Sequence, residues 1–217
     1  MHRLIKDLLA LCRLDQTTDV GIAEVNLGAV VDSVKSNLEL AIEDNAGVVT
    51  CQSGVIVRFN ETRLLQLMQN LIANALKYRG EATPHVIVSA GPEGDDWHFT
   101  VKDNGIGIDP AYADRIFIIF QRLHGKEEYE GTGIGLAICK KIVEYHGGRI
   151  WVDTDHQDGT LIRFTLPADR PAVSDSAGPE PAADDRDAVE PADRTASDLP
   201  NQPVPALSRA EEPAHHD

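Results

Sequence analysis

The residue types best suited to chemistry lie on one face of a helix predicted for residues 60–79. They recur every three or four residues, as Arg63, Gln66, Asn70, Asn74 and Lys77. On a helix with about 3.6 residues per turn, this spacing forms one narrow polar ridge. Amide oxygens suit a hard cation such as Mg²⁺, and an ammonium group one turn later suits a phosphate. A solvated face on a surface helix would show the same pattern.

The opposite face of this helix is predicted to be buried in the core. Its apolar residues form one stripe, Leu64, Leu67, Met68, Leu71, Ile72, Ala75 and Leu76. Asn is a poor helix former, and each one costs roughly half a kcal/mol relative to Ala. Two asparagines four residues apart therefore indicate a role other than helix stability.

A second candidate site is the stretch DNGIGID, residues 103–109, which directly follows a predicted strand. A buried Asp at a strand end can accept a hydrogen bond from an exocyclic amine, which would distinguish adenine from guanine. Glycines here permit a tight turn and close approach of the backbone to a ligand. Alone, such a cluster indicates no more than a turn.

The third candidate site is GTGIGL, residues 131–136, at the start of a predicted helix. The amino-terminal amides of that helix offer a place for a phosphate. The charged run before it, residues 122–130, predicts a mobile lid. The glycine spacing matches neither a Walker A loop nor a Rossmann fingerprint.

The remaining pattern predicts an α/β domain around these three stretches. A helix over residues 27–43 would close one face of a sheet. Residues 91–96 are predicted to form the turn between two neighbouring strands. The runs that favour strands are residues 48–51, 55–59, 84–90, 97–102, 149–154 and 160–166.

The composition changes near Pro167. Residues 168–217 contain twelve acids, four arginines and eight of the 12 prolines, with no aromatic residue. Such a segment cannot bury enough apolar surface to offset the entropy lost on ordering, which predicts a disordered acidic tail. It carries −8 of the formal net charge of −15, and a chain this acidic is not expected to bind nucleic acid.

Cysteine usage and hydropathy predict a cytoplasmic chain. Cys12, Cys51 and Cys139 have no metal-ligand spacing, which indicates free thiols in a reducing compartment. No secretory signal is visible, and the longest uncharged apolar run, residues 116–120, is far shorter than the roughly 20 residues of a membrane helix. No membrane contact is expected.

The candidate stretches together resemble a known family. NLIANALKY (residues 70–78), DNGIGID, the pair Phe117 and Phe120, and GTGIGLAI (residues 131–138) stand in the order of the N, G1, F and G2 boxes of sensor histidine kinases. The resemblance covers about residues 1–167 and is strongest to the phytochrome-like and PAS-sensor group of these kinases. Their ATP-binding domains belong to the GHKL or Bergerat superfamily.

The resemblance implies a fold and a domain order. The fold would be a Bergerat-type two-layer α/β sandwich with a mixed sheet, preceded by a short helix and followed by the disordered tail. Residues 1–16 would be the end of a dimerisation hairpin helix, 17–26 a linker, 27–167 the ATP-binding catalytic domain, and 168–217 the tail. The apolar face of the short helix needs a partner helix, which a homodimer through residues 1–16 could supply. The alternative is a frayed amino-terminal helix that lies on the domain.

The resemblance also implies the roles of individual residues toward ATP and Mg²⁺. Asn74 would be the Mg²⁺ ligand with Asn70 supporting it, and both would act in catalysis with Lys77. Asp103 would accept a hydrogen bond from the adenine amine. The other residues expected to contact the nucleotide or shape the lid and phosphate site are Lys77, Tyr78, Gly105, Gly107, Gly131, Thr132, Gly133, Ile134, Gly135, Leu136 and Thr160.

The implied activity is transfer of the ATP γ-phosphate to a histidine, for relay to a response regulator. Where Asn70 stands, the related gyrase and MutL ATPases carry a Glu that activates water, and its absence favours transfer to a side chain over hydrolysis. No complete H-box is present, and His2 lacks the residues that should follow a phosphoacceptor. The acceptor is therefore expected on a dimerisation domain in trans or in a longer parent chain. Two alternatives are a serine kinase of the anti-sigma-factor type and a truncated, non-enzymatic nucleotide-binding regulator.

Overall fold

The computed structural model describes residues 21–121 and 132–168 of the chain. All of them belong to the first of two compact units, residues 1–176. The predicted dimerisation helix at residues 1–16, the charged run 122–130 with Gly131, and all but the first residue of the predicted tail lie outside the described residues.

Seven strands and four helices make up the described part of the chain, with two short 3₁₀ turns at residues 110–112 and 115–117. The strands are β1 (Ile22–Asn26), β2 (Val48–Cys51), β3 (Ile56–Asn60), β4 (His85–Glu93), β5 (Asp96–Lys102), β6 (Ile150–Val152) and β7 (Leu161–Pro167). The helices are α1 (Leu27–Asn37), α2 (Glu39–Asp44), α3 (Glu61–Lys77) and α4 (Gly135–Tyr145).

Five of these strands form one mixed sheet in the order β2-β4-β5-β7-β6. β2 runs parallel to β4, and the other neighbours are antiparallel. Alternate residues of a strand point to the same face of the sheet, and one face of this sheet is buried. On that face Phe99 of β5 and Phe164 of β7 stack with ring centroids 4.5 Å apart. β1 and β3 form a separate antiparallel pair.

The long helix α3 is the centre of the helical layer. It contacts both α1 and α4, and it also reaches strands β3, β4 and β5. All seven residues of its predicted apolar stripe are buried, from Leu64 to Leu76. The predicted α/β sandwich with a mixed sheet is confirmed. No helix in the described ranges is long and apolar enough to cross a membrane.

Three local predictions were wrong. The helix predicted over residues 27–43 is interrupted at Leu38, where φ is −110° and ψ is 14°. The short helix that follows, α2, has no buried residue. Residues 22–26, which the sequence analysis assigns to the linker, form β1, a strand that buries only Val25 and so shows no alternation. The predicted turn over residues 91–96 is only two residues long, because the β4–β5 ladder continues to the pair Glu93 and Asp96.

Strand β4 tolerates Pro92 because of where β2 ends. The β2–β4 ladder stops at the pair Cys51 and Val88. Beyond it, β4 has a ladder partner only on its β5 side within the described residues. Proline lacks a backbone donor and is tolerated where a strand has a free edge. The local sequence around Pro92 favours a turn, but pairing with β5 keeps Pro92 in the strand.

The end of α2 is strained at Ala46. Ala46 has a φ of 50°, and the Gly47 amide donates to the Ile42 carbonyl at 2.7 Å. This bond satisfies a carbonyl of the last turn, and the position that turns left-handed is usually glycine because a Cβ there costs energy.

We expect Ala46→Gly to raise the free energy of unfolding by about 0.5–1 kcal/mol, since relief of the left-handed strain exceeds the extra entropy of glycine in the unfolded chain. Chemical denaturation of the full chain measures this. Ala41→Gly, inside the same helix, is the control and should lower the unfolding free energy by about 1 kcal/mol. Equal losses in both variants would contradict the assignment of strain to Ala46.

Candidate functional site

The polar ridge predicted on α3 is partly buried. All five of its residues, from Arg63 to Lys77, are half-buried. The helix begins with a side-chain cap, because Asn60 Oδ1 accepts a hydrogen bond from the Arg63 amide at 3.0 Å. Burial of the apolar stripe on the other side fixes the helix in rotation. The ridge is therefore held in place by the core and is not a fully solvated face.

Helix α4 begins against this ridge at Asn70. Asn70 Nδ2 donates to the Gln66 carbonyl at 2.9 Å. A Cβ on Gly135, the first residue of α4, would lie 3.0 Å from Asn70 Oδ1. The amide face of α3 and the amino end of α4 therefore meet at one point, where a larger residue than glycine would crowd Asn70.

The amino end of α4 is suited to an anion. Ile134 precedes the helix, is fully buried, and makes no capping hydrogen bond with its side chain. The first amides of a helix lack partners within the helix and carry partial positive charge. Gly133, with a φ of 71°, turns the chain into this position. Phosphate groups bind such helix ends readily.

The residues that flank the predicted lid, Phe120 and Gly133, are joined by a backbone hydrogen bond. The Phe120 amide donates to the Gly133 carbonyl at 3.1 Å. Phe120 adopts a φ of 64°, which is unusual for an aromatic residue. Strained backbone of this kind persists where the surrounding structure fixes it. The entry and exit of the segment between these residues therefore lie side by side.

Asp103 is a buried carboxylate immediately after β5, as predicted, and is only 8% exposed. Its Oδ1 accepts hydrogen bonds from the Gly105 amide at 2.9 Å and the Thr160 amide at 2.9 Å. Burial raises the pKa of this carboxyl above its ordinary value, and the hydrogen bonds from Gly105 and Thr160 oppose that rise. Neither amide bond uses Oδ2.

Glycines surround this carboxylate because no side chain would fit. A Cβ on Gly105 would lie 2.3 Å from the Tyr78 carbonyl oxygen, and one on Gly159 would lie 2.2 Å from the Asp103 carbonyl oxygen. Gly107 has a φ of 74° and faces Gly159. Gly159 was not among the predicted site residues. The only signal in the sequence is its position directly before Thr160.

Lys77 and Tyr78 form a pair at the carboxyl end of α3. Lys77 Nζ donates to the Tyr78 hydroxyl at 2.9 Å and lies 4.3 Å from the centre of its ring. The Tyr78 carbonyl accepts a hydrogen bond from the Ile106 amide at 3.1 Å. The end of α3 is thereby tied to the loop that carries Asp103, and an ammonium group lies beside it.

Contacts in the structure thus connect the predicted site residues. Asn70 meets the start of α4, Tyr78 meets the loop of residues 103–107, and Asp103 meets Thr160. Thr132 and Leu136 are both half-buried beside them, and Gly131 lies outside the described residues. The arrangement combines a buried acceptor, glycines that allow close approach, amide oxygens and a helix amino end. These are the features that suit a purine nucleotide with its phosphates.

A family model described as histidine kinase-, DNA gyrase B-, and HSP90-like ATPase matches residues 59–170. The chain belongs to this ATPase family. The match contains every residue that the sequence analysis assigned to the site, from Asn70 to Thr160. The ATP-binding domain predicted from the resemblance is therefore confirmed.

Relatives and solved structures of this ATPase family point to sensor kinases. Cyanobacterial phytochrome A of Nostoc sp. is 46% identical over 167 residues, covering 77% of this chain and 22% of that protein. Sensor protein kinase WalK of Staphylococcus aureus is 33% identical over 174 residues, covering 78% of this chain and 42% of that protein. The chain thus spans about a fifth of the length of the phytochrome and less than half of the kinase.

A solved structure described as the catalytic domain of histidine kinase ThkA matches with a TM-score of 0.57 and 25% identity, covering 69% of this chain and 98% of that chain. The histidine-kinase type of ATPase domain is supported over the serine-kinase alternative and over the non-enzymatic one.

We expect Asp103→Asn to raise the free energy of unfolding at pH 7. Asparagine keeps an oxygen for the two amide donors and removes a buried charge. Because the folded-state pKa of Asp103 is raised, ionised Asp103 disfavours the folded state above its unfolded pKa. The advantage of the variant should therefore shrink as the pH falls and wild-type Asp103 takes up its proton. Denaturant unfolding between pH 4 and 7.5 measures it.

Asp153→Asn is the control with opposite sign. The hydrogen bond from Arg163 holds the pKa of Asp153 below its ordinary value, with Arg163 Nε 2.7 Å from Oδ2. This group stabilises the fold above its unfolded pKa, and the contribution is lost as the pH falls through the folded-state pKa. The control should lose stability at pH 7 and approach wild type in acid. The same sign in both variants would contradict the burial argument for Asp103.

Proposed function

We propose that this chain is the ATP-binding catalytic domain of a protein-histidine kinase, which transfers the γ-phosphate of ATP to a histidine on a partner or a longer parent chain. The observation that carries the proposal is the contact of Asn70 with Gly135. It brings amide oxygens suited to a metal next to a helix end suited to phosphate. The nearness of the chain to named sensor kinases supports the same reaction.

Asp103 would select adenine. Its Oδ1 is already engaged by the Gly105 and Thr160 amides, so the carboxylate has a fixed orientation. A carboxylate is only an acceptor, which suits the exocyclic amine of adenine and opposes the carbonyl oxygen of guanine. Gly105 and Gly107 would leave room for the purine, and Thr160 would add a hydrogen bond beside it.

Asn74 would hold Mg²⁺, with Asn70 supporting it. The described residues contain no group of three or more His, Cys, Asp or Glu that could hold a metal alone. Mg²⁺ commonly takes one or two protein oxygens and completes its shell with phosphate oxygens and water. The amide oxygens of α3 fit this shared mode of binding. When bound, the metal neutralises charge on the phosphates.

The side chains around the phosphates would position and neutralise, and would not activate water. Asn70 has no ionisable group, so it cannot take a proton from a water molecule. Lys77 would place its ammonium beside the phosphates, with Tyr78 holding it at 2.9 Å. The backbone amides from Gly133 to Leu136, at the amino end of α4, would bind the phosphate oxygens. Phosphoryl transfer depends mainly on such positioning and charge neutralisation.

The phosphoryl acceptor would be a histidine on a dimerisation domain, and the phosphoryl group would pass on to a response regulator. Both partners are implied by the resemblance to sensor histidine kinases. The similarity to a phytochrome and to a sensor protein kinase, whose length the chain covers only in part, supports them. A homodimer through residues 1–16 remains a prediction, since those residues lie outside the described part of the chain. The cytoplasmic location also remains a prediction.

The transfer test uses the full chain, γ-labelled ATP and Mg²⁺, with and without a dimerisation domain that carries an H-box histidine. We expect acid-labile, base-stable label on the added domain and little on the chain itself. Label retained on the chain alone would move the acceptor into this sequence, with His2 as the first candidate. Tight ATP binding without transfer to any offered histidine would favour a nucleotide-binding regulator, and acid-stable label on a serine would favour the serine kinase.

Asn74→Ala should weaken binding of ATP in Mg²⁺ by at least about 10-fold, because loss of a group that only supports a metal ligand already costs about 10–100-fold in metal affinity. Binding of ATP in excess chelator should change much less. Isothermal titration under both conditions measures this. Gln69→Ala is the control, because Gln69 lies on the same helix but faces α1, where it accepts a hydrogen bond from Asn37 at 3.3 Å. Equal losses with and without Mg²⁺ would remove Asn74 from the metal site.

A further inference from the structure

We propose that Asn104 is a positioning residue for adenine selection, because its side chain fixes the loop that carries Asp103 to the chain segment after α3. This inference rests on the proposed function, since it concerns how Asp103 reads the base. Asn104 itself is exposed and has no assigned contact with the nucleotide. It would act through the backbone of its neighbours.

Asn104 makes two hydrogen bonds to backbone atoms on either side of Pro84. Its Oδ1 accepts from the His85 amide at 2.7 Å, and its Nδ2 donates to the Thr83 carbonyl at 2.9 Å. Both functional atoms of the side chain are therefore used. An amide side chain offers one acceptor and a donor, as a peptide group does.

The two bonds continue the β4–β5 ladder past its end. The last backbone pair at this end is Ile87 with Lys102. Asn104 lies two residues beyond Lys102, and His85 lies two residues before Ile87, so the two residues stand opposite each other in the same register. The side chain of Asn104 replaces the missing backbone partner. The main chain is thereby free to leave the sheet at Asp103 and form the glycine loop.

The segment that Asn104 holds borders the Asp103 loop on the α3 side. It runs from Tyr78 to His85, and the Tyr78 carbonyl accepts from Ile106 at 3.1 Å. The same carbonyl stands where a Cβ on Gly105 would lie. On the opposite side, Thr160 bonds Asp103 through both its amide and its carbonyl. The loop is held from two sides, and Asn104 anchors one of them.

Loss of this anchor should act on selectivity more than on folding. The direction of the Asp103 carboxylate is set by its bonds to the Gly105 and Thr160 amides, and the first of these follows the backbone of residues 103–105. Inosine triphosphate carries a carbonyl oxygen where ATP carries the amine. A misplaced carboxylate would weaken ATP binding and leave the binding of inosine triphosphate nearly unchanged.

The test compares the dissociation constants of ATP and inosine triphosphate for the full chain and for Asn104→Ala, at one Mg²⁺ concentration. We expect the preference for ATP to fall about tenfold, the loss that corresponds to ~1.4 kcal/mol. Asn37→Ala is the control, because Asn37 is also an exposed asparagine whose side chain makes a hydrogen bond, donating to Gln69 at 3.3 Å. That bond joins α1 to α3 and involves neither residues 78–85 nor residues 103–107. Its loss should leave the preference at the wild-type value.

The outcomes separate this inference from the proposed function. Wild type that binds neither nucleotide, or binds both equally, overturns the adenine assignment itself. Wild-type preference in Asn104→Ala overturns the positioning role. A parallel loss for both nucleotides also overturns it, since that result indicates general disruption. If thermal unfolding shows that Asn104→Ala is not folded, the ratio of the two dissociation constants is measured for Asn104→Asp in its place. This variant keeps the acceptor for the His85 amide and removes the donor to the Thr83 carbonyl.

Discussion

The structure is organised around a carboxyl group that is almost fully buried. Asp103 is 8% exposed, and an isolated ion at that depth would be strongly disfavoured. Two backbone amides, from Gly105 and Thr160, meet one oxygen and offset part of that cost. Both donors come from turns that exist only because the sheet brings β5 and β7 together. The sheet order and the carboxylate therefore constrain each other.

The same constraint explains why the glycines near Asp103 are needed for space. Gly105 approaches the Tyr78 carbonyl, and Gly159 approaches the Asp103 carbonyl, closer than any Cβ could. Amide donors must come this near for their bonds to reach a buried oxygen. In the proposed site, the room for a flat purine would be a by-product of packing main chain against main chain. The same residues would then serve both recognition and close packing.

Much of this was predictable because it is encoded locally. The stripe from Leu64 to Leu76 gave helix α3 and its buried face, and the polar ridge followed from the same period. The strand before Asp103 was predicted with its end correctly positioned. Nothing in the structure explains the break at Leu38. The strand β1 could not be predicted, since it depends on its partner β3 far along the chain. Gly159 and Asn104 were missed for the same reason: each acts on backbone that only the sheet register places beside it.

The hydrogen bond between Phe120 and Gly133 has a consequence for how the length of chain between them can vary. The Phe120 amide donates to the Gly133 carbonyl, so these two residues stay together whatever the number of residues between them. The entropy of joining the ends of a segment grows only with the logarithm of its length, by about 0.6 kcal/mol for each doubling. Insertions or deletions between the two residues would therefore leave the start of α4 and the Asn70 contact where they are. The length of this segment can then differ between relatives without moving the residues of the candidate site.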